Sequence, residues 1–271
     1  SISAFWTRLM AWSSTTIPRS LSPSAITALG SAGISSLSST QIAAFEASQL
    51  GAITDAGFAA LNSAQLRGVS AGQLSGLTQT QLQGLTSGAI KGLNAALFAP
   101  TSGLTTAQLQ ALNSLSITGL SSAQLQGLSS NITAIATEDF VGLASAQVGS
   151  LTDAQFALLS TQQLAALTSV SMRGVTAAQL DSLDTTEIGA LESVDLPGLT
   201  STQLVTLDTA QLQAFSDAQV AALASASLRA LSEAQYAALI GGVAAGSVNV
   251  TGLVSTQIGV LTTTQLSVSV L

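Results

Sequence analysis

The sequence predicts an all-α solenoid of very short helices, one to two turns each and one per eight residues. Three observations carry that expectation. An apolar residue returns at every eighth position along most of the 271 residues. Each octad repeats the same helix-start signal. A slower rhythm of about 3.5 octads, roughly 28 residues, lies on top and sets the size of one superhelical turn.

The frame starts at Leu21 and runs through Leu29, Leu37, Phe45, Ile53, Leu61, Val69, Leu77, Leu85 and Leu93. Three extra residues interrupt it near Pro100 and Thr101 before it resumes at Leu104, Leu112, Leu120 and Leu128. One residue is then missing, and Ile135 restarts it. Thirteen starts follow without a break from Leu143 to Leu239. A six-residue slip through Gly241 and Gly242 precedes Leu253 and Leu261. The consensus is L-[ST]-x-[AST]-Q-[LIV]-x-[AGS], and Gln holds the fifth place seventeen times between Gln41 and Gln265.

Each place has a local role. The second place carries Thr, Ser, Asp or Asn, the preferred helix N-caps. Three residues on, the Gln completes a capping box: the cap oxygen takes the N3 amide proton, and the Gln side chain reaches back to the cap's own N–H. The first and sixth places are apolar and form the two halves of a hydrophobic staple. Pro23 falls at the first helical position, where proline is accepted best. Asp55, Asp153, Asp217 and Glu233 occupy the third place, and Asp184, Glu192 and Asp208 the cap, where each faces the positive end of a short helix. One long helix is excluded, because eight residues at 100° each turn the apolar stripe by about 80° per repeat. A β-solenoid is the rival fold. Leu, Ala and Gln favour helix over strand, and apolar spacings of five then three fit a staple better than strict alternation.

The slower rhythm comes from octads without the fifth-place Gln, those starting at Leu29, Ile53, Leu85, Leu112, Ile135, Leu167, Leu191, Leu223 and Ala245. Allowing for the slips in the frame, they recur three or four octads apart and are expected to line one side of the superhelix. Several share a pattern: Ser-Leu-Ser-Ile-Thr-Gly at 114–119, Ser-Val-Ser-Met-Arg-Gly at 169–174 and Ser-Val-Asn-Val-Thr-Gly at 247–252. Two readings are open: these octads relieve crowding at a corner, or they form a lateral contact surface. No octad folds alone. Its two buried apolar side chains contribute about 1.5–3 kcal/mol each, less than the cost of ordering eight residues at about 1–2 kcal/mol apiece, so stability comes from stacking.

Both ends differ from the array, which spans 21–266. Residues 1–20 place Phe5, Trp6, Leu9, Met10 and Trp12 close to helical spacing, as a cap over the first coil or a plug for a neighbouring subunit. At the other end, Leu266, Val268, Val270 and Leu271 alternate with serine like a strand, and the tail 267–271 is read as a docking segment or the end of a secretion signal. These nine residues are the candidate assembly interface.

Composition excludes much else. Charged residues make up 7% of the chain, and five Arg plus Lys91 build no basic patch, which argues against nucleic-acid binding. Without His or Cys, common metal sites and Cys or Ser–His nucleophiles cannot be assembled. Asp181, Asp184, Glu187, Glu192 and Asp195 are close in sequence, but lack EF-hand spacing and fall partly on cap and N3 places. Gly241-Gly242-Val243-Ala244-Ala245-Gly246 lacks the Lys of a phosphate loop and reads as a hinge. The expectation is a chain with no catalytic site, metal or cofactor. Polar residues break every apolar run, so no membrane span is expected. The Cys-free, Lys-poor, Ser/Thr/Gly/Ala-rich composition suits export, and Ser1 in place of Met is read as the mark of a removed leader.

The octapeptide array resembles the long repetitive proteins of bacterial surfaces and secretions, adhesin-like and filament-forming. That resemblance covers about 21–266 and implies export and a structural or adhesive role. The expected function is a structural subunit of an extracellular filament, sheath or surface layer that associates with itself through its ends and one lateral face. The alternative is an adhesin stalk or repeat module binding protein or carbohydrate, attached to the cell surface. Ice binding by a flat Thr/Ser face is a third idea, weakened because the Thr residues are committed to caps.

Overall fold

The computed structural model describes residues 21–101, 103–241 and 253–268. These residues form short helices joined by tight turns, and no strand occurs among them. The helical expectation holds and the β-solenoid is set aside. Most helices are four to six residues long, such as Ser39–Ala43, Ala177–Asp181 and Thr209–Gln213.

The helix-start signal works as the spacing implies. Thr176 Oγ1 accepts the Gln179 amide N–H at 3.1 Å, and the Thr176 N–H donates to Gln179 Oε1 at 2.8 Å. The same reciprocal pair is built by Ser38 with Gln41, Asn62 with Gln65 and Asp208 with Gln211. Most helices end where the next first-place residue turns back on the sixth: the Leu37 N–H donates to the Ile34 carbonyl at 3.2 Å, a tight closing bond that swings the chain out of the α-helical path.

First- and sixth-place side chains fill the interior. In octads that keep the frame, sixth-place residues from Ile26 to Tyr236 are at most 4% exposed. The core therefore runs inside the coil as two apolar residues per octad, as the staple spacing requires.

The chain divides into two compact units, Ser1–Ala136 and Thr137–Leu271. The division falls where the sequence frame loses one residue. There the chain switches to consecutive 3-10 helices, Ser129–Ala134 and Thr137–Gly142, and Ser129 takes a left-handed φ of 47°. Two further 3-10 segments mark other breaks in the pattern. Ala95–Phe98 stops short of Pro100, and Leu196–Gly198 contains Pro197. Pro197 corrects one cap assignment. A proline that deep in the octad cannot sit in a helix begun at Ser193, since its ring would clash with the carbonyl four residues back. Glu192 therefore starts no α-helix; its carbonyl instead closes a turn with the Asp195 N–H at 3.0 Å.

Within each unit, hydrogen bonds fix the coil at 28 residues. In the first, Gln65, Gln73 and Gln81 donate to the carbonyls of Leu37, Phe45 and Ile53, each 28 residues earlier. In the second, Gln179, Gln211 and Gln219 reach Leu151, Leu183 and Leu191 over the same interval. This is the 3.5-octad turn read from the sequence. The bonding register survives the insertions. Across the three extra residues near Pro100, Gln124 still reaches a first-place carbonyl, Leu93, now 31 residues back. Across the six-residue slip, Gln257 reaches Leu223 at 34.

Candidate functional site

The polar residues that could have lined a binding site are used by the scaffold. Gln179 is fully buried. Its Oε1 takes the Thr176 N–H, and its Nε2 donates to the Val148 carbonyl at 3.0 Å and the Leu151 carbonyl at 2.6 Å, one coil back. Gln65 spans Ile34 and Leu37 in the same way, at 2.9 and 2.8 Å. The sixth-place carbonyl that receives it already accepts the closing N–H of the next octad's first residue. Both lone pairs of that oxygen are then used, and orphan groups at two helix ends are satisfied by one amide.

Sequence reasoning assigned only the capping half of this role. The missed signal was the near-absence of Glu. A capping box accepts Glu as readily as Gln, yet seventeen fifth places carry Gln and just one, Glu187, carries Glu. A carboxylate has no N–H for the second half. Glu187 accepts the Asp184 N–H at 2.8 Å and is half-buried, whereas Gln179 is fully buried.

The octads lacking Gln hold Gly33, Gly57, Ala89, Ser116, Asp139, Ser171, Asp195 and Ser227 at the fifth place. Ser171 and Ser227 keep a single bond to the coil before through a shorter side chain, to the Leu143 and Leu199 carbonyls at 3.0 and 3.4 Å. Four of these octads end in glycines that a Cβ would drive into a neighbouring backbone: Gly92 against Ser63, Gly119 against Ser87, Gly174 against Ser145 and Gly198 against Ser169. Coils approach closely here, and they do so too at Gly51, Gly76 and Gly127, in octads that keep a bridging Gln. Close approach therefore does not single out the octads without Gln, and the crowding and lateral-surface readings both stay open.

These octads also expose apolar side chains at the fourth place. Leu115 is 61% exposed in the first unit, and Val170 and Val194 are 57% and 73% exposed in the second. Asp195 follows Val194 in the chain. Burial raises its carboxyl above the ordinary 3.8; the Ser169 backbone N–H, which donates to it, pulls the other way, and the nearby Glu192 charge adds to the rise. The charged form is the one the fold disfavours. Stability from this group is thus complete below pH 3.8 and is lost as pH rises through the raised value. Asp195→Asn, which keeps an oxygen for the Ser169 N–H, should melt higher than the parent at pH 7, with the gap closing by pH 3 in matched thermal melts.

Of the expected assembly residues, Phe5, Trp6, Leu9, Met10, Trp12, Val270 and Leu271 lie outside the described residues. Leu266 and Val268 fall in the helix Thr263–Val268, not in a strand. The cause is local: Thr262 and Gln265 make the same capping box as the earlier octads. Leu266 is 39% exposed and sixth-place Ile258 45%, where other sixth places are buried. No coil follows them among the described residues.

Among the described residues no group of three or more acidic side chains stands close enough to hold a metal ion, and no helix is long and apolar enough to cross a membrane. Residues 132–169 and 188–225 match the ALTTAQ repeat family, two copies of a repeat within the octad array. No curated protein and no solved structure matches the chain.

Proposed function

We propose that this chain is a structural subunit, exported to the cell surface or beyond, whose work is to associate with further copies of itself into a filament, sheath or layer. One observation carries the reading: the side chains with chemistry to offer are spent on joining coil to coil. Gln Nε2 bonds to the preceding coil recur from Gln49 to Gln265, and none of the buried side-chain polar atoms described is left without a partner. A scaffold of this kind keeps little back for a substrate and gives a stiff, repeated surface suited to lateral association. The exposed Ile258 and Leu266 support it further, since a stacked coil would cover both. The surface fits export as well: no thiol to oxidise and one Lys in the chain. Negative-stain electron microscopy of purified protein at high concentration should show fibres or sheets. A monodisperse monomer at every concentration and ionic strength would overturn the proposal.

A further inference from the structure

We infer that one strip of the second unit pairs with the same strip of a second copy of this chain, the two stacks parallel and side by side about a two-fold axis along the stacking direction. This rests on the structural reading above and names its lateral contact. Ser171 and Ser227 donate to carbonyls 28 residues earlier, so residues two coils apart share a line along the stack. Arg173 and Arg229 are such a pair, and so are Glu138 and Val194. The octads of Val170 and Val194 are in direct contact. The Asp195 carboxylate accepts the Ser169 N–H, and Gly198 packs on the Ser169 backbone. That register sets Glu192 and Val194 on the upstream side of Val170, and Arg173 on its downstream side.

The strip therefore changes across its width. Glu192 borders one side, Glu138 and Val194 share the line next to it, Val170 lies beyond them, and Arg173 and Arg229 border the other side; all six are exposed. A two-fold axis along the stack exchanges the borders. It lays each basic border on the partner's acidic border and closes the valines between them. Antiparallel stacks would instead put arginine on arginine, and like charges in contact oppose association. The complementary charge selects a second copy over an unrelated apolar partner, and the apolar centre supplies the area removed from water.

The chain has no cysteine, so disulfide trapping reads the contact directly. Val170 lies near the expected axis and meets its own copy. Val170→Cys should form a covalent dimer under mild oxidation, while Ala178→Cys, exposed on the neighbouring Gln octad, should stay monomeric. In sedimentation at low salt, Arg173→Glu should weaken self-association by about tenfold or more, and adding Glu192→Arg in the same chain should restore it. Equal trapping of both cysteine variants, trapping of neither, or no recovery in the double swap would overturn the inference. Assemblies that survive Val170→Glu unchanged would remove this contact and leave the structural reading in place. Absence of assemblies in the unaltered protein would remove the structural reading itself.

Discussion

Gln179→Ala should destabilise its unit by about 3–5 kcal/mol, measured as the loss in urea unfolding free energy against the parent. The truncation removes three hydrogen bonds. It strands the part-buried Thr176 N–H and takes one partner from each of the buried Val148 and Leu151 carbonyls. It also leaves a cavity between coils. Gln179→Glu keeps the shape and the capping acceptor, yet should cost at least as much at pH 7, because a carboxylate oxygen then faces two carbonyl oxygens without a proton between them. Lowering the pH should recover part of that loss, as the protonated acid can donate to one of the two. Gln162→Ala, exposed on the surface, is the matching control and should change stability by less than about 0.5 kcal/mol. A small loss in Gln179→Ala would mean that the amide is a cap alone and that coils are held by apolar packing.

The second large effect is expected from one methyl group. Gly174→Ala builds a Cβ into the Ser145 backbone, which belongs to the adjacent coil and cannot move aside as a side-chain tip would. The coils must separate locally, at a cost of about 2–4 kcal/mol. Gly72→Ala is the opposite case. Nothing lies within 4 Å of its Cβ, and the residue is inside the helix Ala71–Leu74. Alanine there should stabilise by about 0.5–1 kcal/mol through helix propensity and a less flexible unfolded chain. Thermal and urea unfolding of the two variants should therefore move in opposite directions.

The sequence by itself determined the octad, the helix start in each octad, the buried first and sixth places and the 28-residue turn. These follow from interactions reaching at most a few residues, plus a periodicity that survives insertions. The cap of Thr176 on Gln179 is a bond over three residues and is written in the order of the side chains. Glu192 was misread for a related reason: the cap pattern was legible, but Pro197, five residues on, vetoed the helix. The second half of the Gln role was decided only by the tertiary structure. A donor on Gln179 has no partner within its own octad, and Val148 and Leu151 come within reach only once two coils stack. The close approach at Gly174, the division into two units and the strip from Glu192 through Val170 to Arg173 have the same origin. Each depends on which residues one coil lays over another, a fact of packing across about 28 residues that no local pattern states.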